Sequence, residues 1–209
     1  MTNNTNETFH STDQVMPLIE KIIKTSFPEL ANIKIQLGTV NKDSVFLESR
    51  PVIHSLFLPM KVQYKITINP ALIELKLPLL AVEGILAHEL AHTAFYVNKG
   101  RFQTMLTGFV FLNHDKHVAF ERSTDIDAIT RGYGEGIKAY RELAFINLNE
   151  AQLATKKQRY YWSNEIDALL AAYKTHPDLR KVWLKTPPTN LEEITTSINA
   201  YIANINGSA

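Results

Sequence analysis

The chain has 209 residues, of which 45% are hydrophobic and 21% charged, with a formal net charge of +1 and no cysteine. This composition predicts one globular domain with a sizeable core, and the near-neutral charge gives no electrostatic case for binding nucleic acid. The lack of cysteine excludes disulfides, thiol catalysis and thiolate metal sites, so histidine and carboxylate are the strong metal ligands left.

In chain order, the polar run Met1–Thr8 lacks the basic and apolar regions of a secretory signal. Residues 1–12 are expected to form a disordered N-terminal arm, followed by a single domain over residues 13–205. The expected compartment is the cytoplasm by default, or export by a signal-independent route. Val15, Leu18, Ile19, Ile22 and Ile23 recur at helical spacing and predict a helix from about Asp13 to Thr25. Ile33–Leu37 alternates and predicts a strand ending at Gly38. Ser44–Glu48 is a candidate second strand and Ile53–Leu58 a third. Val62–Ile68 is the clearest strand, apolar on one face and polar on the other. It stops at Asn69-Pro70, where Asn69 can cap a short helix with Pro70 in its first turn.

Leu77-Pro78 then opens the most apolar stretch of the chain, which contains His88-Glu89-Leu90-Ala91-His92. Two histidines and two glutamates between Leu77 and Val97 argue against a membrane span. On a helix, positions four apart share a face. His88 and His92 can therefore reach one tetrahedral zinc ion, with Glu89 close enough to act on a zinc-bound water. Buried polar groups need partners, and a metal with its water satisfies all three. The competing reading is a pair of structural histidines bonded to carbonyls or carboxylates.

Phe102, Met105, Leu106, Phe109 and Val110 form a helical stripe. It is read as a core helix, with a wall of the substrate cleft as the sharper alternative. His114 and His117 lie in a polar stretch and are expected to be solvated. Either is a rival metal ligand, and His117, four residues before Glu121, can also hydrogen-bond beside the site. Phe120–Gly132 reads as a helix capped by Gly132, with Arg131 well placed in its last turn. Glu121 and Asp125 share a face of it, which suggests Glu121 as the third ligand and Asp125 as the carboxylate behind a ligand histidine. Asp127 falls on another face and is expected to be exposed or capping.

Gly132–Gly136 reads as a glycine-rich turn, and it is no phosphate loop because it follows a helix. Ile137, Tyr140, Leu143 and Ala144 mark the next helix, and Ile166, Leu169, Leu170 and Tyr173 another from about Asn164. After Pro187-Pro188, Asn190 with Glu193 resembles a capping box opening a last amphipathic helix through Leu191, Ile194, Ile198, Tyr201 and Ile202. His10, His54 and His176 are read as structural or exposed.

His-Glu-x-x-His followed by Glu-x-x-x-Asp on a later helix resembles the gluzincin metallopeptidases, especially their compact single-domain bacterial members. The resemblance covers about Tyr64 to Gly132. It implies an α+β, zincin-like fold: a small twisted sheet packed on the active-site helix, then a mostly helical C-terminal half. It implies zinc held by His88, His92 and Glu121, Glu89 as general base, and Asp125 supporting a histidine. An edge strand would hold extended substrate, with Val62–Ile68 the candidate and an ordinary core strand the alternative. Tyr133 is a candidate oxyanion donor. No Gly-x-x-His follows His92, so the metzincin pattern does not fit. The expected activity is hydrolysis of a protein or peptide substrate, with no nucleic-acid partner, no transmembrane segment and the oligomeric state open. The alternative is a non-catalytic binding or regulatory module whose zinc site is structural or inactive. A closed site of that kind would take four protein ligands, His117 being the available fourth. Hydrolysis of a non-peptide amide also stays open.

Overall fold

The computed structural model describes residues 7–41, 46–57, 61–107, 113–146 and 148–207. The chain is a mixed α+β protein, dominated by helix and carrying one small sheet. Residues 7–9, expected to belong to a disordered arm, are instead strapped to the chain around Pro78. Phe9 N–H donates to the Leu77 carbonyl (2.8 Å) and Leu79 N–H to that of Glu7 (2.8 Å). The Phe9 ring is buried in the core. A single aromatic anchor thus overrides the polar character of its neighbours. Residues 1–6 lie outside the described residues.

Helix α1 (Val15–Ser26) follows a short 3₁₀ turn, Thr12–Gln14, and buries Val15, Leu18, Ile19 and Ile22. Strands β1 (Ile35–Thr39) and β2 (Leu47–Pro51) come next, and between β2 and β3 lies helix α2 (Ile53–Phe57). The expected strand over Ile53–Leu58 is therefore corrected to a helix, with Leu58 outside the described residues. Its reason is local: Ile53 and Phe57 stay 69% and 67% exposed. The buried member is Ser55, whose hydroxyl donates to the Val52 carbonyl and accepts from Gln63 N–H. Apolar character here does not report burial. Of the strand expected over Ser44–Glu48, Ser44 and Val45 are likewise outside the described residues, and pairing begins at Leu47.

Strand β3 (Tyr64–Ile68) is the centre of the sheet, not an edge. It pairs in parallel with β1 (Ile35 opposite Tyr64) and antiparallel with β2 (Ser49 opposite Ile66). This corrects the candidate edge strand Val62–Ile68. Thr67, polar in the alternating pattern, is also buried, as a central strand requires. After the short helix α3 (Ala71–Glu74), where Asn69 Oδ1 accepts from Ala71 N–H, comes α4 (Leu79–Thr107). Helix α4 is buried almost continuously from Ala81 to Ala94 because sheet, α1, and later helices enclose it. Gly100, at φ 73°, bends it. Beyond the bend Phe102 is 73% exposed, and Met105 and Leu106 are also exposed, so the expected core stripe is not core there. Phe109 and Val110 fall outside the described residues.

Helix α5 (His114–Ala128) runs through a π-helical turn, Ile129–Tyr133, into α6 (Gly134–Ala144). The expected glycine-rich turn is thus a bend inside a continuous helical path, at Gly132 (φ 102°). Helices α4 and α6 cross at two glycines. A methyl group on Gly84 would fall 2.2 Å from the Gly136 carbonyl carbon, and one on Gly136 would fall 2.4 Å from the Leu80 oxygen. The remaining helices are α7 (Glu150–Arg159), α8 (Ser163–Thr175), α9 (Leu179–Trp183) and α10 (Leu191–Asn206). Helix α10 starts with Asn190 Oδ1 accepting from Glu193 N–H. The Glu193 carboxylate caps Thr189 instead of Asn190, so the expected box is only half made. Among the described residues no helix is long and apolar enough to cross a membrane.

Candidate metal centre

The enclosure of α4 puts His88, Glu89 and His92 out of solvent, and α5 lays Glu121, Thr124 and Asp125 opposite them. The two imidazole rings stand 4.7 Å apart, edge to face, one helical turn apart. Glu121 Oε2 lies 3.3 Å from His88 Nε2 and 3.4 Å from His92 Nε2. It makes no hydrogen bond to either, and is a buried acceptor without a donor. One ligand atom from each of His88, His92 and Glu121 lies within 4.8 Å of the others.

The far nitrogens explain why this cluster fits a cation. His88 Nδ1 is 2.8 Å from Asp125 Oδ1. Asp125 is an ionised acceptor, so Nδ1 carries the proton and Nε2 a lone pair. His92 Nδ1 is 3.2 Å from Thr124 Oγ1, whose own proton goes to the Phe120 carbonyl at 2.9 Å. That hydroxyl can only accept from His92, which again leaves a lone pair on Nε2. With the protons on the far nitrogens, loss of any proton from Nε2 leaves two nitrogen lone pairs and one carboxylate oxygen converging, an arrangement that a metal ion satisfies.

Electrostatics agree. Burial alone would lower the proton affinity of His88, but the hydrogen bond to Asp125 and the adjacent Asp125 and Glu121 carboxylates push its pKa up to about 10. Burial would raise Glu121, yet His92, His117 and His88 hold it well below the usual carboxylate range. The cluster demands positive charge, and a metal can supply it in place of protons.

Asp125 is the hub behind the site. It is fully buried and accepts from Arg141 Nη2 at 2.5 Å and from Tyr161 N–H at 3.1 Å, besides His88. Arg141 and Burial act on it in opposite senses: burial would raise its pKa, and the Arg141 charge with the His88 bond more than reverses this. Arg141 Nη1 in turn donates to the Tyr161 carbonyl. Arg141 was legible in principle as a charged residue on the buried stripe of Ile137, Tyr140 and Ala144. Glu89 Oε2 accepts from Ser49 N–H at 2.6 Å, an anchor for which the sequence carries no signal. Burial raises the pKa of Glu89, with His92 and His88 opposing.

The other expected site residues divide. His117 is not in a solvated loop but in the first turn of α5, with Nε2 3.2 Å from Glu121 Oε1. It bonds the other oxygen of the Glu121 carboxylate and is not part of the three-residue group. His114 is exposed at the helix start. Tyr133 is away from the site: its hydroxyl meets Ser26 Oγ (3.2 Å) and Thr25 Oγ1 (3.3 Å) at the end of α1. It follows the bend at Gly132 and packs toward the end of α1. Tyr160 does stand beside the site, its ring 5.9 Å from that of His88, and Tyr96 and Tyr140 also line the cleft. Asp127 is not a free surface carboxylate either. It pairs with Arg131 at 2.9 Å and Arg180 at 2.5 Å, tying α5 to α9.

The site opens into a cleft of about 510 Å³. Its lining includes Phe46 with the β2 residues Leu47–Ser49, and the α7 residues Gln152, Thr155, Lys156 and Arg159 with Tyr160. Compared with known protein families, characterised proteins and solved structures, the chain has no significant match.

Proposed function

We propose that the chain is a zinc-dependent metallopeptidase of zincin type, with the ligand set of the gluzincins. The observation that carries the reading is the convergence of His88 Nε2 and His92 Nε2 on the donorless Glu121 Oε2, with Glu89 beside them in the cleft. Two imidazoles and one carboxylate make a donor set suited to catalytic zinc with a position left for water. His117 engages Glu121 and does not join the group, which favours an open site over a closed structural one.

Bound zinc supplies an acidified water and a positive charge beside the scissile carbonyl. Glu89 is the proton carrier. Its Oε2 is held by Ser49 N–H, and among the described residues Oε1 has no hydrogen bond, so it can take a proton and pass it to the leaving amine. Burial, which raises its pKa, keeps that proton transferable. Asp125 and Thr124 fix the two imidazoles in the tautomers the metal needs. The Ser49 contact also turns toward the site the side of β2 that is unpaired among the described residues. Strand β2 thus replaces Val62–Ile68 as the edge that would hold extended peptide by main-chain hydrogen bonds.

The test is reversible loss of activity. Zinc-loaded protein should cleave denatured protein substrates, stop when chelated, and recover with added zinc. Failure of the zinc-loaded protein to cleave a proteome-derived peptide library would reject the reading.

A further inference from the structure

The α7 part of the cleft lining carries two cations that are outside the three-residue metal group. Lys156 and Arg159 sit on α7, and among the described residues neither has a carboxylate within ion-pair distance. Their helix neighbours in the cleft are already engaged: Gln152 accepts from Asn149 N–H, and Thr155 donates to the Ala151 carbonyl. Arg159 Nε is a buried donor with no partner. The Lys156 ammonium stands 5.5 Å from the ring centres of both Phe145 and Tyr160. The Tyr160 ring is thus a common neighbour of Lys156 and of His88, whose ring centre is 5.9 Å from it. Burial and the neighbouring Arg159 charge both lower the proton affinity of Lys156, the condition of a cation kept without its counter-ion.

We propose that Lys156 and Arg159 form an anion subsite that selects peptides carrying a carboxylate one or two residues from the scissile bond. The inference rests on the peptidase reading above and names its substrate class. Extended peptide advances about 3.4 Å per residue, so a carboxylate at that spacing bridges the gap from the metal site to the α7 wall. Arg159 supplies a donor that lacks an acceptor, and Lys156 a second charge beside it, which together suit a carboxylate. The carboxylate has two sources, an acidic side chain or a free peptide C-terminus.

Binding to the zinc-loaded full chain bearing Glu89→Gln separates them without turnover. The probes are acetyl-Ala-Ala-Glu-Ala-amide, its Gln counterpart, and the Gln peptide with a free C-terminal acid. At least one acidic probe should bind about tenfold tighter than the neutral amide, the scale of one charge-assisted hydrogen bond. The winning probe identifies the source. Adding Lys156→Gln and Arg159→Gln keeps much of each side chain's bulk and should abolish the preference. A charge-reversed pair, Lys156→Glu with Arg159→Glu, should favour a Lys-containing peptide instead. Equal binding of all three probes, no binding of either acidic probe, or an acidic preference that survives both double variants overturns the subsite. Selective binding by a protein that cleaves nothing would sustain the subsite while rejecting the peptidase reading. Cleavage by wild type with no acidic preference would reject the subsite alone.

Discussion

Asp125→Asn is the substitution whose consequences should reach furthest. The side chain is fully buried and accepts from His88, Arg141 and the Tyr161 amide. Asparagine keeps the shape but removes the charge, which leaves the buried Arg141 guanidinium without its anion. Breaking such a pair from one side costs about 3–5 kcal/mol. The same change frees the His88 ring and should weaken zinc binding by roughly 10–100-fold. Urea unfolding of the chelated protein reads the first effect. Zinc competition against a chromophoric chelator reads the second. Arg141→Met added to Asp125→Asn should recover part of the lost stability, because removing both charges leaves no unpaired one. An unchanged urea midpoint in Asp125→Asn would refute the hub. So would simple additivity of the two substitutions, since groups in contact should couple.

Glu121→Ala should abolish stoichiometric zinc binding, measured by metal analysis after dialysis; unchanged stoichiometry would shift the ligand role to His117, His114 or Asp125. Gly84→Ala places a methyl group 2.2 Å from the Gly136 backbone and should lower stability by about 1–3 kcal/mol in thermal unfolding, because backbone cannot yield as a flexible side chain does. Asp127→Ala removes one partner of both Arg131 and Arg180, and should cost about 1 kcal/mol at low salt with the deficit shrinking at high salt. Tyr133→Phe should leave any peptidase activity intact, since among the described residues its hydroxyl meets Ser26 and Thr25, away from the site.

The site residues were more legible than the architecture around them. Spacing four apart fixed the shared face of His88 and His92 and that of Glu121 and Asp125, because helical periodicity is local. What lies across from a face is not local. The alternation in Val62–Ile68 told that a strand was there, but pairing on both sides is set by segments remote in sequence. The apolar run at Ile53 pointed to a strand, yet Ser55 is the residue that anchors the segment. Helix α7 is hard to read from the sequence because none of its residues is fully buried and it carries no apolar stripe. Its capping box at Asn149 and Gln152 was the available signal. The misplacement of Tyr133 follows from Gly132: reading that glycine as the end of a helix hides the bend that sends the following side chain toward α1. Tyr160 and Ser49 reach the site through tertiary packing alone, and no short-range pattern points to them.

The most direct measurement is proteomic identification of cleavage sites with zinc-loaded wild type and Glu89→Gln, with bound zinc quantified in both. The expected result is equal zinc in the two proteins and cleavage by wild type only. Full cleavage by Glu89→Gln at equal zinc would contradict the role of Glu89 as the base.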